Sequence, residues 1–301
     1  MELDLEAFFA KRPVLRKLLL PAAAVIAFGL FLILTFPYEV LARRIEMEAQ
    51  RSGAELSIGS LGPSGWAGIR ARDVRLHFGD AAGPEIHLER ADISPDLFAL
   101  LLRRTSFGFF AEAYGGTARG HLALSNDPRQ PGVSSLRIDA RDVDLAALPL
   151  KDSGVQASGK LRLKADLPAL LPVETANGTL SVTLEGAAIA GSVMGMALPR
   201  TSLGQVESSA ALEKGVARVE KTAARGGDID ADLDGNIHLR PLLTLSQADL
   251  HLRFRPADRW LDQNAMIKGM MGLIQNARQG DGSYAFTLSG PLARLTPRPG
   301  R

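Results

Sequence analysis

From Gly53 onward, short segments alternate apolar and polar residues, each bounded by Gly, Pro, Asn or Asp. "GAELSIGSL", "GIRARDVRLHFGD", "PEIHLERADI", "FGFFAEAYGGTARGHLALS", "SSLRIDARDVDL", "SGKLRLKADL", "NGTLSVTLEG", "SQADLHLRFR" and "SYAFTLSG" all have this form. A period of two is the signature of strands with one solvated face. Short turns such as "EKG" before Val216 and "RGGD" at 225–228 suit a meander in which each strand pairs with the next. The pattern predicts a mainly β fold with a few helices, built on a mostly antiparallel sheet. Six to twelve strands stacked ~4.8 Å apart would span roughly 30–60 Å. Inward positions hold Ala, Leu, Val and Ile beside Gly, so such a sheet would curl into a half-pipe covered by a helix, a partner or lipid.

Three stretches leave the period of two. "EVLARRIEMEAQR", 39–51, is rich in helix formers and predicts a short helix. "SPDLFALLLRR" predicts another, with Ser94 as N-cap, Pro95 at the first position, Asp96 in the first turn, and Arg103 and Arg104 at the negative end. Around 257–277, helical spacing places Trp260, Ile267, Met271 and Ile274 on one face with Leu261 and Met270 beside it. Such a Met-rich face packs against its own sheet or receives a partner. Trp260, Ile267, Met270, Met271 and Ile274 are therefore the candidate partner-binding residues.

Leu18 to Tyr38 contains no charge over 21 residues, the length needed to cross a hydrocarbon core of roughly 30 Å. It exceeds a signal-peptide h-region, and no clear A-x-A site follows, so it reads as an uncleaved transmembrane anchor. Lys11, Arg12, Arg16 and Lys17 precede it, and Arg43, Arg44 and Arg51 follow, which places the N-terminus in the cytoplasm. The expected organisation is a cytoplasmic tail at 1–17, a transmembrane helix at 18–38, a juxtamembrane helix at 39–51 and a periplasmic β-rich domain at 52–301.

The 301 residues are 46% hydrophobic and 23% charged, enough for a sizeable core. Net charge is +2 and aromatic content 6%, with no basic stripe, so nucleic-acid binding has no support. The absence of cysteine removes disulfides, thiol catalysis and Cys-based zinc sites. His77, His87, His121, His238 and His251 fall in strand-like segments without metal-ligand spacing. "GPSGWAG" lacks the nucleophile-elbow spacing, no P-loop occurs, and "GSVMGMALPR" does not form a dinucleotide fingerprint. No catalytic residue, cofactor or metal is assigned, and an enzyme is the poorest hypothesis.

One segment carries two readings. In "RGGDIDADLDGN", Asp230, Asp232, Asp234 and Gly235 match positions 1, 3, 5 and 6 of an EF-hand loop, but position 12 is Pro241. The same residues alternate strictly with Ile229, Ala231 and Leu233, which predicts an exposed-edge or solvent-facing strand whose aspartates discourage unwanted pairing.

The order of "LTFPYEVLARRIE", "GAELSIGSLGPSGWAGIRARDVRLHF", "SQADLHLRFRP" and "YAFTLSGPLARLTP" resembles the type II secretion system protein N (GspN) family in its deltaproteobacterial form. The opening is also similar to AsmA-like proteins. The first resemblance implies a single-pass inner-membrane protein whose periplasmic domain binds the secretion platform, by β-augmentation at exposed edges. The second implies an elongated, curved sheet that carries lipid acyl chains along an unbroken apolar trough. A calcium-stabilised module built on Asp228 to Asp234 is the third reading.

Overall fold

The computed structural model describes residues 27–29, 31, 35–51, 54–65, 67–78, 85–127, 129, 132–148, 155–193, 196–240 and 245–300. The tail and most of the 18–38 segment lie outside them. No helix among the described residues is long and apolar enough to cross a membrane.

Helix α1 (Tyr38–Arg51) leads into strands β1 (Ala54–Ser64), β2 (Gly68–Phe78) and β3 (Glu85–Pro95). Helix α2 (Leu97–Leu101) precedes β4 (Ser106–Ala113), β5 (Gly116–Leu124), β6 (Val133–Asp144) and β7 (Val155–Ala169). Then follow β8 (Asn177–Val193), β9 (Met196–Glu213), β10 (Val216–Arg225), β11 (Ile229–His238) and β12 (Gln247–Pro256). Helices α3 (Asp258–Gln263) and α4 (Ala265–Met271) and a 3₁₀ segment, Gly272–Ala277, separate β12 from β13 (Tyr284–Pro291), and β14 (Thr296–Pro299) ends the fold.

All fourteen strands form one open antiparallel sheet in sequence order. That exceeds the six to twelve expected, and the short final strand β14 falls in none of the alternating segments. The hairpins supply the reason for the simple order. Tyr114 and Gly115 (φ 53° and 70°) and Lys214 and Gly215 (φ 49° and 75°) form two-residue turns with both φ values positive. Such turns match the strand twist and force the next strand beside the last. At Gly215 a Cβ would lie 2.5 Å from the Glu174 carbonyl oxygen, so the turn also needs glycine for space.

Consecutive hairpins give the sheet two rims. One bears the β1–β2 turn, α2 and the Lys214–Gly215 turn; the other bears the Tyr114–Gly115 turn, α3 and α4. Both free edges are blunted. β14 is four residues long with prolines at 297 and 299, and proline removes the donors that a pairing strand would need. At β1, α1 packs alongside, and the Glu46 carboxylate accepts a 2.8 Å hydrogen bond from the Ile58 N–H.

Two expectations are corrected. Ser94 and Pro95 remain in β3, opposite Gly108 and Phe107, and the N-cap of α2 is Asp96, whose carboxylate accepts from the Phe98 and Ala99 N–H groups at 3.0 Å. Strand pairing holds the backbone extended up to Pro95, so capping passes to the next carboxylate. β11, the aspartate strand, lies between β10 and β12 and is not an edge.

Candidate functional site

Residues directly opposite in an antiparallel pair share a face. One row can therefore be followed across the whole sheet: Leu61, Ala71, Ala91, Ala111, Ala118, Ala140, Leu163, Val182, Ser208, Thr222, Leu233, Leu252, Phe286 and Pro299. The parallel row two residues away runs Pro63, Ile69, Ile93, Phe109, Gly120, Ile138, Ala165, Leu180, Ala210, Val219, Gly235, Leu250, Leu288 and Pro297. Neither contains a charge. Ser208 and Thr222, the two hydroxyls in the first row, hydrogen-bond to each other at 2.7 Å and so present little unmet polarity.

Two bulges keep this face continuous. Ala140 and Val143 are three residues apart but pair with Leu163 and Leu161, two apart, with Asp142 at positive φ between them. Val219 and Thr222 are likewise three apart against Ala210 and Ser208 on β9 and Gly235 and Leu233 on β11. Each extra residue returns the following side chain to the apolar side.

Relief across the face is uneven. Five consecutive strands, β2 to β6, contribute alanine to the first row, forming a low floor. Ile69, Ile93, Phe109 and Ile138 rise beside it, and the absent Cβ at Gly120 leaves room for the Phe109 ring, whose Cζ would be only 2.8 Å from a side chain there. At the far end Phe254 stacks on Tyr284 and Phe286, with centroids 5.6 and 6.1 Å away. Most large residues of the two rows are half-buried, and Ile93 and Leu180 remain 50% and 39% exposed. Buried positions are mainly alanines, including Ala140, Ala165 and Ala248. Among the described residues, the main element contacts are between neighbouring strands, α1 with β1, and the helical segment with β13. No second layer spans the face among the described residues.

The opposite face is charged and internally matched. Arg70 is opposite Asp92 at 2.6 Å and Arg137 opposite Asp166 at 2.7 Å. Burial raises the Asp92 pKa, but hydrogen bonds from Arg70, Ser64 and Arg90 outweigh it and leave the carboxyl below its ordinary value. Near the aspartate strand, Asp230, Asp232 and Asp234 face Arg255, Arg253 and His251 across the β11–β12 pair. Each aspartate has a protein partner: Asp228 accepts from the Ser202 N–H at 2.7 Å, Asp230 from the Gly226 N–H at 3.3 Å, Asp232 pairs with Arg225 at 2.5 Å, and Asp234 lies 3.8 Å from His251. They alternate along a strand rather than converge, and among the described residues no three metal-ligating groups come together. Asp281 gathers Arg253 and Arg255 at 2.7 and 2.9 Å. Its pKa is held well below the carboxylate range, first by the Ser283 hydroxyl and N–H and then by Arg253.

The candidate partner residues lie on the β12–β13 connection, where a break at Asn264 divides the helix. Trp260 is buried, at 7% exposure; its Nε1–H has no acceptor among the described residues. Ile267, Met270, Met271 and Ile274 are half-buried, whereas Met266 and Leu273 point outward, the latter 84% exposed. Sequence reasoning missed those two. It also missed that α2 buries none of its residues.

No family model, curated protein or solved structure matches the chain.

Proposed function

We propose that this chain is a non-enzymatic, membrane-anchored protein that binds lipid acyl chains along the apolar face of its sheet, in the manner expected of an elongated, curved AsmA-like architecture. The observation that carries the reading is the pair of uncharged rows running unbroken through fourteen strands without a second layer among the described residues. A sheet face of this composition needs an apolar cover. At ~4.8 Å per strand the rows extend for about 60 Å, a path rather than a pocket. The blunted edges favour the face over strand addition as the binding surface. The uncharged 18–38 segment would hold the domain on the periplasmic side of the inner membrane.

A photo-crosslinking side chain placed at Ile138, on the apolar face, and separately at Arg137, on the charged face, tests this in intact cells. Phospholipid adducts at 138 and not at 137 are the expected result. Equal labelling at both positions, or none at 138, would overturn it.

A second reading keeps the chain in the type II secretion machinery, bound to its inner-membrane platform. The exposed Met266 and Leu273 favour it, because they give the helical connection an outward apolar contact suited to a protein. Protein adducts at Leu273 that contain platform components would support this role, and their absence would count against it.

A further inference from the structure

Helix α2 is anomalous for its sequence. Leu97, Phe98, Leu100, Leu101 and Leu102 are five of the ten residues between β3 and β4, yet Phe98 is 71% and Leu101 78% exposed. The segment is nonetheless locally organised: Asp96 caps it, and the Asp96 N–H bonds the Ser106 carbonyl at 2.9 Å. Apolar residues in such a concentration, held out by a built support, call for apolar surroundings that the described residues do not supply.

The topology indicates what supplies it. Arg51 leads directly toward Ala54, while Glu46 reaches Ile58, so α1 runs back along β1. The start of α1 therefore points toward the rim that carries α2, and the uncharged 18–38 segment enters α1 from that end. The β3–β4 connection is only two to three strands from β1, about 12 Å. Arg103 and Arg104 follow the apolar run, both exposed and neither ion-paired among the described residues. Apolar side chains backed by cations form an interfacial anchor for a bilayer containing anionic lipid.

We infer that α2 inserts into the headgroup and upper acyl region of the same membrane that receives the 18–38 segment, with Arg103 and Arg104 against anionic headgroups. This second contact would fix the tilt of the sheet and set the β3–β4 end of its apolar face at the membrane. It rests on the anchor reading but not on lipid occupancy of the sheet.

Because the chain has no cysteine, single labels can be placed without further changes. Full-length Leu101→Cys and Leu273→Cys proteins, each carrying an environment-sensitive fluorophore, are reconstituted into nanodiscs containing phosphatidylglycerol and lipids with shallow nitroxide quenchers. Position 273 lies on the opposite rim and serves as the reference. Quenching severalfold stronger at 101 than at 273 is expected, with a substantial fall when Arg103→Glu and Arg104→Glu are combined. Co-elution with nanodiscs but equal quenching at the two positions would overturn the α2 contact alone. A chain that does not co-elute would overturn the anchor reading and this inference together. Capture of a protein by the 101 label, without quenching, would mark α2 as a protein contact and likewise overturn the bilayer assignment.

Discussion

Replacing Ala111 by Asp places a carboxylate in the alanine floor, opposite Ala91 and Ala118. In the chain by itself this position is only half-buried, so the carboxylate stays hydrated and the change should cost no more than about 1 kcal/mol, mainly from poor strand propensity. Under an acyl chain the same group loses its water without gaining a partner. An ion so buried costs several kcal/mol. Its alternative is to take up a proton, which at pH 7 and an ordinary pKa near 3.9 costs roughly 4 kcal/mol. Taking about 3 kcal/mol as the lower figure, occupancy should fall by roughly a hundredfold in affinity. Thr117→Asp, on the charged face opposite Glu112 and Arg141, is the matched control. The assay is phospholipid recovered per protein after crosslinking at Ile138, together with thermal unfolding of both variants. Wild-type lipid yield from a folded Ala111→Asp protein would refute the acyl-chain reading; loss of yield in both variants would show that the face is not the determinant.

Gly215→Ala puts a Cβ into a left-handed turn and against the Glu174 carbonyl; the conformational term alone is about 1–2 kcal/mol, so denaturant unfolding should shift by at least that amount, and an unchanged midpoint would show that the turn relaxes freely. Glu46→Ala removes the acceptor of the Ile58 N–H at a cost of about 1 kcal/mol; hydrogen exchange at Ile58 should quicken and self-association through β1 increase, whereas unchanged exchange would deny α1 its edge-guarding role. The depressed pKa of Asp281 means that the folded state holds fewer protons there than the unfolded chain, so its stabilisation is present above the ordinary carboxylate pKa and fades as pH falls below it. The stability difference between wild type and Asp281→Asn should accordingly be constant at neutral pH and shrink toward zero in acid; a difference that grows in acid would reverse the argument. Since Asp228, Asp230, Asp232 and Asp234 each have partners within the protein, added calcium or a chelator should leave the unfolding temperature unchanged, and a clear rise with calcium would restore the loop reading.

The period-two pattern made the sheet legible because alternation is a local property. Glycine at the second turn position likewise announced the hairpin at Gly215, whereas the turn at Gly115 lay hidden inside one alternating segment. What the pattern hid was continuity. In β6 and β10 the apolar parity breaks after Ala140 and Val219, and only the paired strands show that bulges repair it. Toward the opposite end of β1 to β3, Leu56, Ile58, Val74, Leu76, Ile86 and Leu88 fall at the other parity from Leu61, Ala71 and Ala91, and Val74 there is buried. The groups that answer the aspartate run are scattered, the Ser202 N–H on β9, Arg225 and the Gly226 N–H just before β11, and His251 on β12, so a one-strand reading met a carboxylate run and raised calcium. For α2, the periodicity predicted a helix but carried no information about whether anything covers it.

A sheet that offers strangers its edge and a sheet that offers its face need opposite sequences. Edge binding requires long, unobstructed outer strands, whereas here one outer strand is four residues with two prolines and the other is tied to a helix. Face binding requires uncharged, low-relief positions repeated in register, and the alanines of β2 to β6 provide them without large side chains that would fill the floor from within. Such a face gains little from burying alanine against its own chain. The large residues that could have closed a conventional core, at Ile93, Leu180 and along α2, are instead left half or mostly exposed. That arrangement costs an aqueous domain stability but leaves its apolar area available to something brought from outside, and an acyl chain matches a surface that is long, uncharged and narrow.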